Sequence, residues 1–230
     1  MRALVCKEYG PPESMVIEEQ DDPVPGPGQV CIDVAAAGIN FPDVLSIAGQ
    51  YQVKTPTPFV PGNEAAGTVS ALGEGVKRYQ VGDKIIINCR GGAFAEKCVA
   101  DVNMTAPLPD DLSFEQGAGF SVTYGTTAHA LKQSANLQPG ETVLVLGAAG
   151  GVGIAAVEVA KAMGARVIAA ASSDEKLEFA RSAGADETIN YSTTPLKETV
   201  KELTGGGGAD VVYDPVGGEL AEQAFRATAW

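Results

Sequence analysis

The sequence predicts an α/β protein whose β-rich first half is followed by a doubly wound parallel sheet, and three observations carry that reading. Up to about residue 115 the chain consists of short apolar stretches punctuated by glycine and proline, as in Pro23-Val24-Pro25-Gly26-Pro27-Gly28, the pattern of strands joined by turns. Beyond about residue 120, apolar strands alternate with helical patterns, which predicts parallel pairing through right-handed crossovers. Between the first of these strands and its helix lies the run Gly147-Ala148-Ala149-Gly150-Gly151-Val152-Gly153.

In the first half, residues 29–36, 67–72 and 84–88 read as strands, with a turn at Val81-Gly82-Asp83. In the second, 142–146 is an uninterrupted apolar strand of the kind buried on both faces, and 152–163 is an apolar helix stopped by Gly164. Residues 167–171 form the next strand, followed by a helix with Ser173 as N-cap and Gly184 past its end. A weaker strand spans 188–190. Thr194 and Pro195 suit the N-cap and first turn of another helix, and 211–214 makes a fourth strand. A helix over 127–133 carries His129, the only histidine, which reads as a packed or surface residue rather than a general acid. The boundary between the parts falls near residue 120, giving domains 1–120 and 121–230.

Composition excludes several classes of partner. The 29 acidic against 16 basic residues give a net charge of −13, which opposes docking on phosphate backbones or anionic membranes, so neither nucleic acid nor a membrane is expected as partner. The apolar stretch within residues 1–7 is too short for a signal-peptide core, and no run of about 18 apolar residues offers a membrane span. Cys6, Cys31, Cys89 and Cys98 form no CxxC pair; free thiols in a cytoplasmic protein are the expectation.

The glycine run stands in the strand-turn-helix context that a phosphate-binding turn requires. Small residues let the backbone approach a pyrophosphate, whose charge meets the unpaired N–H groups of the helix N-terminus. Gly147, Ala149, Gly150, Gly151, Val152 and Gly153 are therefore candidate cofactor contacts, with Ala148 standing where GxGxxG has its first glycine. At the end of the second strand, where an NAD site commonly places Asp or Glu, stands Ala171, followed by Ser172, Ser173 and Lys176. A carboxylate would repel a 2′-phosphate, whereas hydroxyls, a helix N-terminus and an ammonium would hold it, which favours NADPH. The bland reading makes Ser173 a simple cap and Lys176 a solvated charge.

With these segments assembled, the chain resembles the medium-chain dehydrogenase/reductases over nearly its whole length. The matching stretches are Ala37-Gly38-Ile39-Asn40-Phe41-Pro42-Asp43, Pro61-Gly62-Asn63-Glu64-Ala65-Ala66-Gly67, Val81-Gly82-Asp83, Gly117-Ala118-Gly119-Phe120-Ser121 and the glycine turn, in that order. The resemblance implies a GroES-like catalytic β domain, then a Rossmann domain, with the active site in the cleft between them. Zinc members of the family have Cys, His and Cys where this chain has Asn40, Asn63 and Ala118, and the four-cysteine structural lobe is missing as well. No metal ligand set is therefore expected. A site lacking a metal to polarise a carbonyl suits hydride delivery to a substrate already electron-poor, and the chain looks most like the zinc-independent NADPH:quinone oxidoreductases. The resemblance implies that Asn40, Tyr51 and Thr126 face nicotinamide and substrate, that Tyr191 lies beside the 2′-phosphate, and that Asp43 and Glu64 make structural hydrogen bonds.

Family members continue for roughly a hundred residues more, supplying the last strands of a six-stranded Rossmann sheet. A chain ending at Trp230 is thus expected to lack part of that sheet and to be poorly behaved at this length, and a longer version is expected to be a homodimer. The substrate expected is a small-molecule quinone or enone. The competing readings are an enone or enoyl-thioester reductase with the same hydride geometry, and a non-catalytic NADPH-binding or structural protein.

Overall fold

Alternating apolar positions in the first half resolve into seven strands, and the structure, a computed structural model describing residues 1–230, divides into two units, Met1–Val122 and Thr123–Trp230. In the first unit β1 (Arg2–Val5) and β2 (Val16–Glu19) form an antiparallel pair. Strands β3 (Gln29–Gly38), β4 (Glu64–Leu72), β5 (Lys84–Asn88), β6 (Lys97–Asp101) and β7 (Thr105–Pro107) form an antiparallel sheet in the order β6-β3-β4-β5-β7. Helix α1 (Phe41–Ile47) follows β3, and α2 (Phe114–Ala118) follows β7. The sheet buries Val30, Ile32, Val69, Ile85 and Ile87, each burial contributing about 1.5–3 kcal/mol. At Gly67 a Cβ would lie 2.1 Å from the Asp33 carbonyl oxygen, so only glycine lets β4 cross β3 there.

The second unit is layered. Helix α3 (Ser121–Ala128) enters it, and β8 (Thr142–Leu146), α4 (Gly151–Ala162), β9 (Arg166–Ala171), α5 (Asp174–Ser182), β10 (Glu187–Asn190), α6 (Leu196–Leu203), β11 (Val211–Tyr213) and α7 (Gly218–Phe225) follow. The sheet is wholly parallel in the order β10-β9-β8-β11. Because side chains alternate along a strand, Val143, Val145, Val167 and Ala169 pack on one face against Val157, Ala160 and Ala180. Leu144, Leu146, Ile168 and Ala170 pack on the other against Leu196, Val200 and Ala224. Helices α4 and α5 cover the first face and α6 and α7 the second, which is double winding.

Two expectations are corrected. The helix drawn at 127–133 begins earlier, at Ser121, and widens into a π-helical turn over His129–Ser134. Thr194 does not cap α6: the N–H groups of Thr193 and Thr194 both donate to the Asn190 carbonyl, closing a turn, and Pro195 itself is the extended cap (φ −61°, ψ 118°). With Pro195 itself extended, the helix starts only after the ring. No helix is long and apolar enough to cross a membrane.

Candidate functional site

In the first unit the site begins where β3 ends. Asn40 is the extended N-cap of α1, and its N–H donates to the carboxylate of Asp43, three residues on (2.8 Å), as a capping box requires. Asp43 also accepts from Asn63 Nδ2 (2.6 Å), and Asn40 Nδ2 donates to Glu64 Oε1 (2.7 Å) at the start of β4. The other Glu64 oxygen accepts from the Val122 N–H (2.8 Å). Asp43 and Glu64 are each only 1% exposed. Burial pushes both carboxyl groups above their ordinary range, the Asp43 charge pushes Glu64 further, and the amide donors pull both back. Asp43 and Glu64 thus make the structural hydrogen bonds the sequence implied.

A cavity of about 430 Å³ opens beside this network, lined by Asn40, Tyr51, Val53, Asn63, Cys89 and Arg90 among others. Asn40 and Tyr51, singled out from sequence, therefore face the same space. Glu64 takes one amide hydrogen of Asn40, which fixes the carboxamide and leaves the other N–H for a ligand. Ala118 packs close to Gly38 and Glu64: a Cβ on Gly38 would lie 2.5 Å from both the Ala118 carbonyl oxygen and Glu64 Oε1. Asn40, Asn63 and Ala118 provide no thiolate or imidazole, and no three His, Cys, Asp or Glu side chains cluster to hold a metal. Sequence reasoning missed Cys89 and Arg90, because the turn after β5 carries no motif.

In the second unit the glycine turn joins β8 to α4. Gly147 adopts φ +58°, and a Cβ on Gly153 would lie 2.2 Å from the Gly147 carbonyl oxygen, so glycine there lets α4 pack close on its strand. Gly150 is the N-cap and offers no side chain, which leaves the first N–H groups of α4, on Gly151, Val152 and Gly153, for an external acceptor. Ala148 is buried and Ala149 half-buried beside them. Thr126 is exposed on α3; its neighbour Thr127, which sequence reasoning passed over, is buried with its hydroxyl 3.4 Å from the Val152 carbonyl and 3.1 Å from the Tyr213 hydroxyl. His129 is exposed and pairs with Gln133.

The carboxyl end of β9 gathers the other cofactor candidates. Ala171 is buried there, Ser173 caps α5 by accepting from the Lys176 N–H (3.4 Å), and Lys176 Nζ donates to Ser172 Oγ (3.0 Å). Tyr191 hydrogen-bonds to the Ala171 carbonyl through its backbone and packs its ring against the core below. Asp174, missed from sequence, lies one residue past the cap, its carboxylate held by Asn190 Nδ2 (2.8 Å). Bare helix N–H groups at one turn and an ammonium with two hydroxyls at the next strand end suit a dinucleotide carrying a 2′-phosphate.

Comparison with known proteins agrees with both halves. The alcohol dehydrogenase GroES-like domain family matches residues 26–110, and the zinc-binding dehydrogenase family matches 151–229. A quinone oxidoreductase-like protein 2 homolog of Nematostella vectensis is 43% identical over 232 residues, and the chain spans 63% of that relative's length. Among solved structures, an NAD-dependent alcohol dehydrogenase superposes with a TM-score of 0.95 at 37% identity, all of this chain covering 75% of that one. Escherichia coli quinone oxidoreductase complexed with NADPH superposes with a TM-score of 0.92 at 34% identity, 99% of this chain covering 70% of it.

Proposed function

The chain belongs to the medium-chain dehydrogenase/reductase superfamily, and from that premise we propose that it serves NADPH-dependent reduction of quinones or related electron-poor carbonyl compounds without a metal. The observation that carries the proposal is the cavity in which Asn40 and Tyr51 present an amide and a hydroxyl, backed by the buried carboxylate of Glu64, where zinc relatives place metal ligands. When bound, NADPH supplies a hydride. The N–H groups of Gly151, Val152 and Gly153, which no side chain caps, would hold its pyrophosphate, and Ser172, Ser173, Lys176 and Tyr191 would hold its 2′-phosphate. Asn40 and Tyr51 donate to the acceptor oxygen that gains charge, and Thr126 serves the nicotinamide side. A quinone needs no Lewis acid, since its product oxyanion is already delocalised and two hydrogen-bond donors meet its charge.

The test follows the loss of NADPH absorbance with menadione, an enone and an enoyl thioester, each with and without chelator. Turnover of menadione that survives chelator is expected. Turnover of the enoyl thioester alone would overturn the quinone reading, loss of activity in chelator would overturn the metal-free reading, and NADPH binding without any turnover would make the protein a non-catalytic binder.

A further inference from the structure

The cavity wall is formed in part by the segment between α1 and β4, which contributes Tyr51, Val53 and Thr55. Its two ends are fastened. The N–H groups of Gln50 and Tyr51 donate to the Leu45 carbonyl (2.7 and 3.1 Å), and Phe59 exchanges two backbone hydrogen bonds with Cys6 (2.9 and 3.1 Å). From residue 52 to residue 58 the chain makes one hydrogen bond, accepted by the Thr55 carbonyl from the Tyr9 hydroxyl (2.7 Å). The Tyr9 ring also lies under the segment: a Cβ on Gly49 (φ +66°) would sit 2.8 Å from it, Lys54 Nζ lies 5.7 Å from its centroid, and the Phe59 ring is 6.5 Å away. A segment of seven residues with a single hydrogen bond is free to sample other conformations once that bond is lost.

We infer that Tyr9, outside the cavity, is a positioning residue that tethers this wall and thereby sets which acceptors fit. The inference rests on the proposed use of the cavity by an electron-poor carbonyl substrate. The tether acts on ground state and transition state alike, so its loss raises KM for a small acceptor and leaves kcat in place. It also lets the wall yield to a larger acceptor.

The test compares Tyr9→Phe, which keeps the ring and removes only the hydroxyl, with the parent protein in two measurements. Limited trypsin digestion reads cleavage after Lys54, an exposed site within the segment, against cleavage after Lys176 in the other unit as internal control. Loss of one hydrogen bond should speed the Lys54 cut about fivefold and leave the control unchanged. Steady-state kinetics with one-ring 1,4-benzoquinone and two-ring menadione should show the small acceptor's KM rising, its kcat unchanged and its kcat/KM relative to menadione falling. An unchanged rate of cleavage after Lys54 overturns the tether. Faster cleavage with an unchanged benzoquinone/menadione ratio overturns its role in acceptor choice. Should the parent turn over neither quinone, the proposed function fails and the role in acceptor choice falls with it, whereas the digestion still decides the tether.

Discussion

Removing the Lys176 ammonium should cost NADPH about tenfold in affinity and NADH almost nothing. Lys176 reaches the end of β9 from the first turn of α5 and is held by Ser172 Oγ at 3.0 Å, so its charge stands beside the expected 2′-phosphate with no acidic partner. A charge-assisted hydrogen bond contributes about 1.5–3 kcal/mol, or roughly ten- to 150-fold in affinity. The lysine is exposed, and solvent screening puts the effect at the lower end of that range, about tenfold. The opposite charge tests the same geometry. Ala171 is buried, so a carboxylate there would disturb packing along with electrostatics; Ser172→Asp puts the charge at the half-buried position that already faces Lys176. That variant should neutralise the ammonium, repel the phosphate and turn preference toward NADH. Fluorescence titration of both dinucleotides on each variant measures the ratio, and rising salt should compress it in the parent. Equal weakening of both cofactors by Lys176→Ala, or an NADH affinity in the parent matching that for NADPH, refutes the assignment of this strand end as the phosphate selector.

Two further outcomes are expected. Gly153→Ala places a Cβ 2.2 Å from the Gly147 carbonyl oxygen, which forces α4 off β8; a stability loss of about 1–3 kcal/mol is expected by denaturant titration, with loss of dinucleotide binding. Glu64 has a folded pKa above its ordinary 4.5 because burial disfavours its charge, so the folded state binds more protons and this group's contribution declines as pH rises from that value through the folded pKa. Glu64→Gln should accordingly flatten the fall in unfolding free energy with rising pH across that window, and an unchanged slope would show that Glu64 is not the group responsible.

Much of the second unit was legible because its signals are local. An apolar run, a glycine turn and a capping serine act within a few residues, and 142–146 as well as Ser173 at the α5 cap stand where the sequence puts them. The failures there also have local causes. Thr194 looked like a cap, but its N–H and that of Thr193 share the Asn190 carbonyl in a turn, and the extended Pro195 takes the cap position. Buried Thr127 went unnoticed because periodicity on α3 is weak, its Ser and Thr residues being neither clearly apolar nor charged. The short strands of the first unit, β1, β2, β6 and β7, went unread because so few residues carry little pattern of their own: Lys97–Asp101 and Thr105–Pro107 lack the unbroken apolar run that marks β5.

The site in the first unit shows why motifs disclose residues before they disclose arrangement. Asn40, Asp43, Asn63 and Glu64 could be picked out, but the bonds among them span up to 24 residues and exist only because β3 and β4 pair with Gly38 opposite Glu64. Two carboxylates buried together repel and lose hydration. Here each accepts two N–H donors, Asp43 from Asn40 and Asn63, Glu64 from Asn40 and Val122. Asn40 serves both at once, through its backbone to one and its side chain to the other. An aspartate in its place would offer Glu64 a third negative charge and no donor, whereas an asparagine is oriented by the two charges it separates. The amide facing the cavity is therefore held by two carboxylates that do not line it, which is the preorganisation that the proposed donation to an oxyanion calls for.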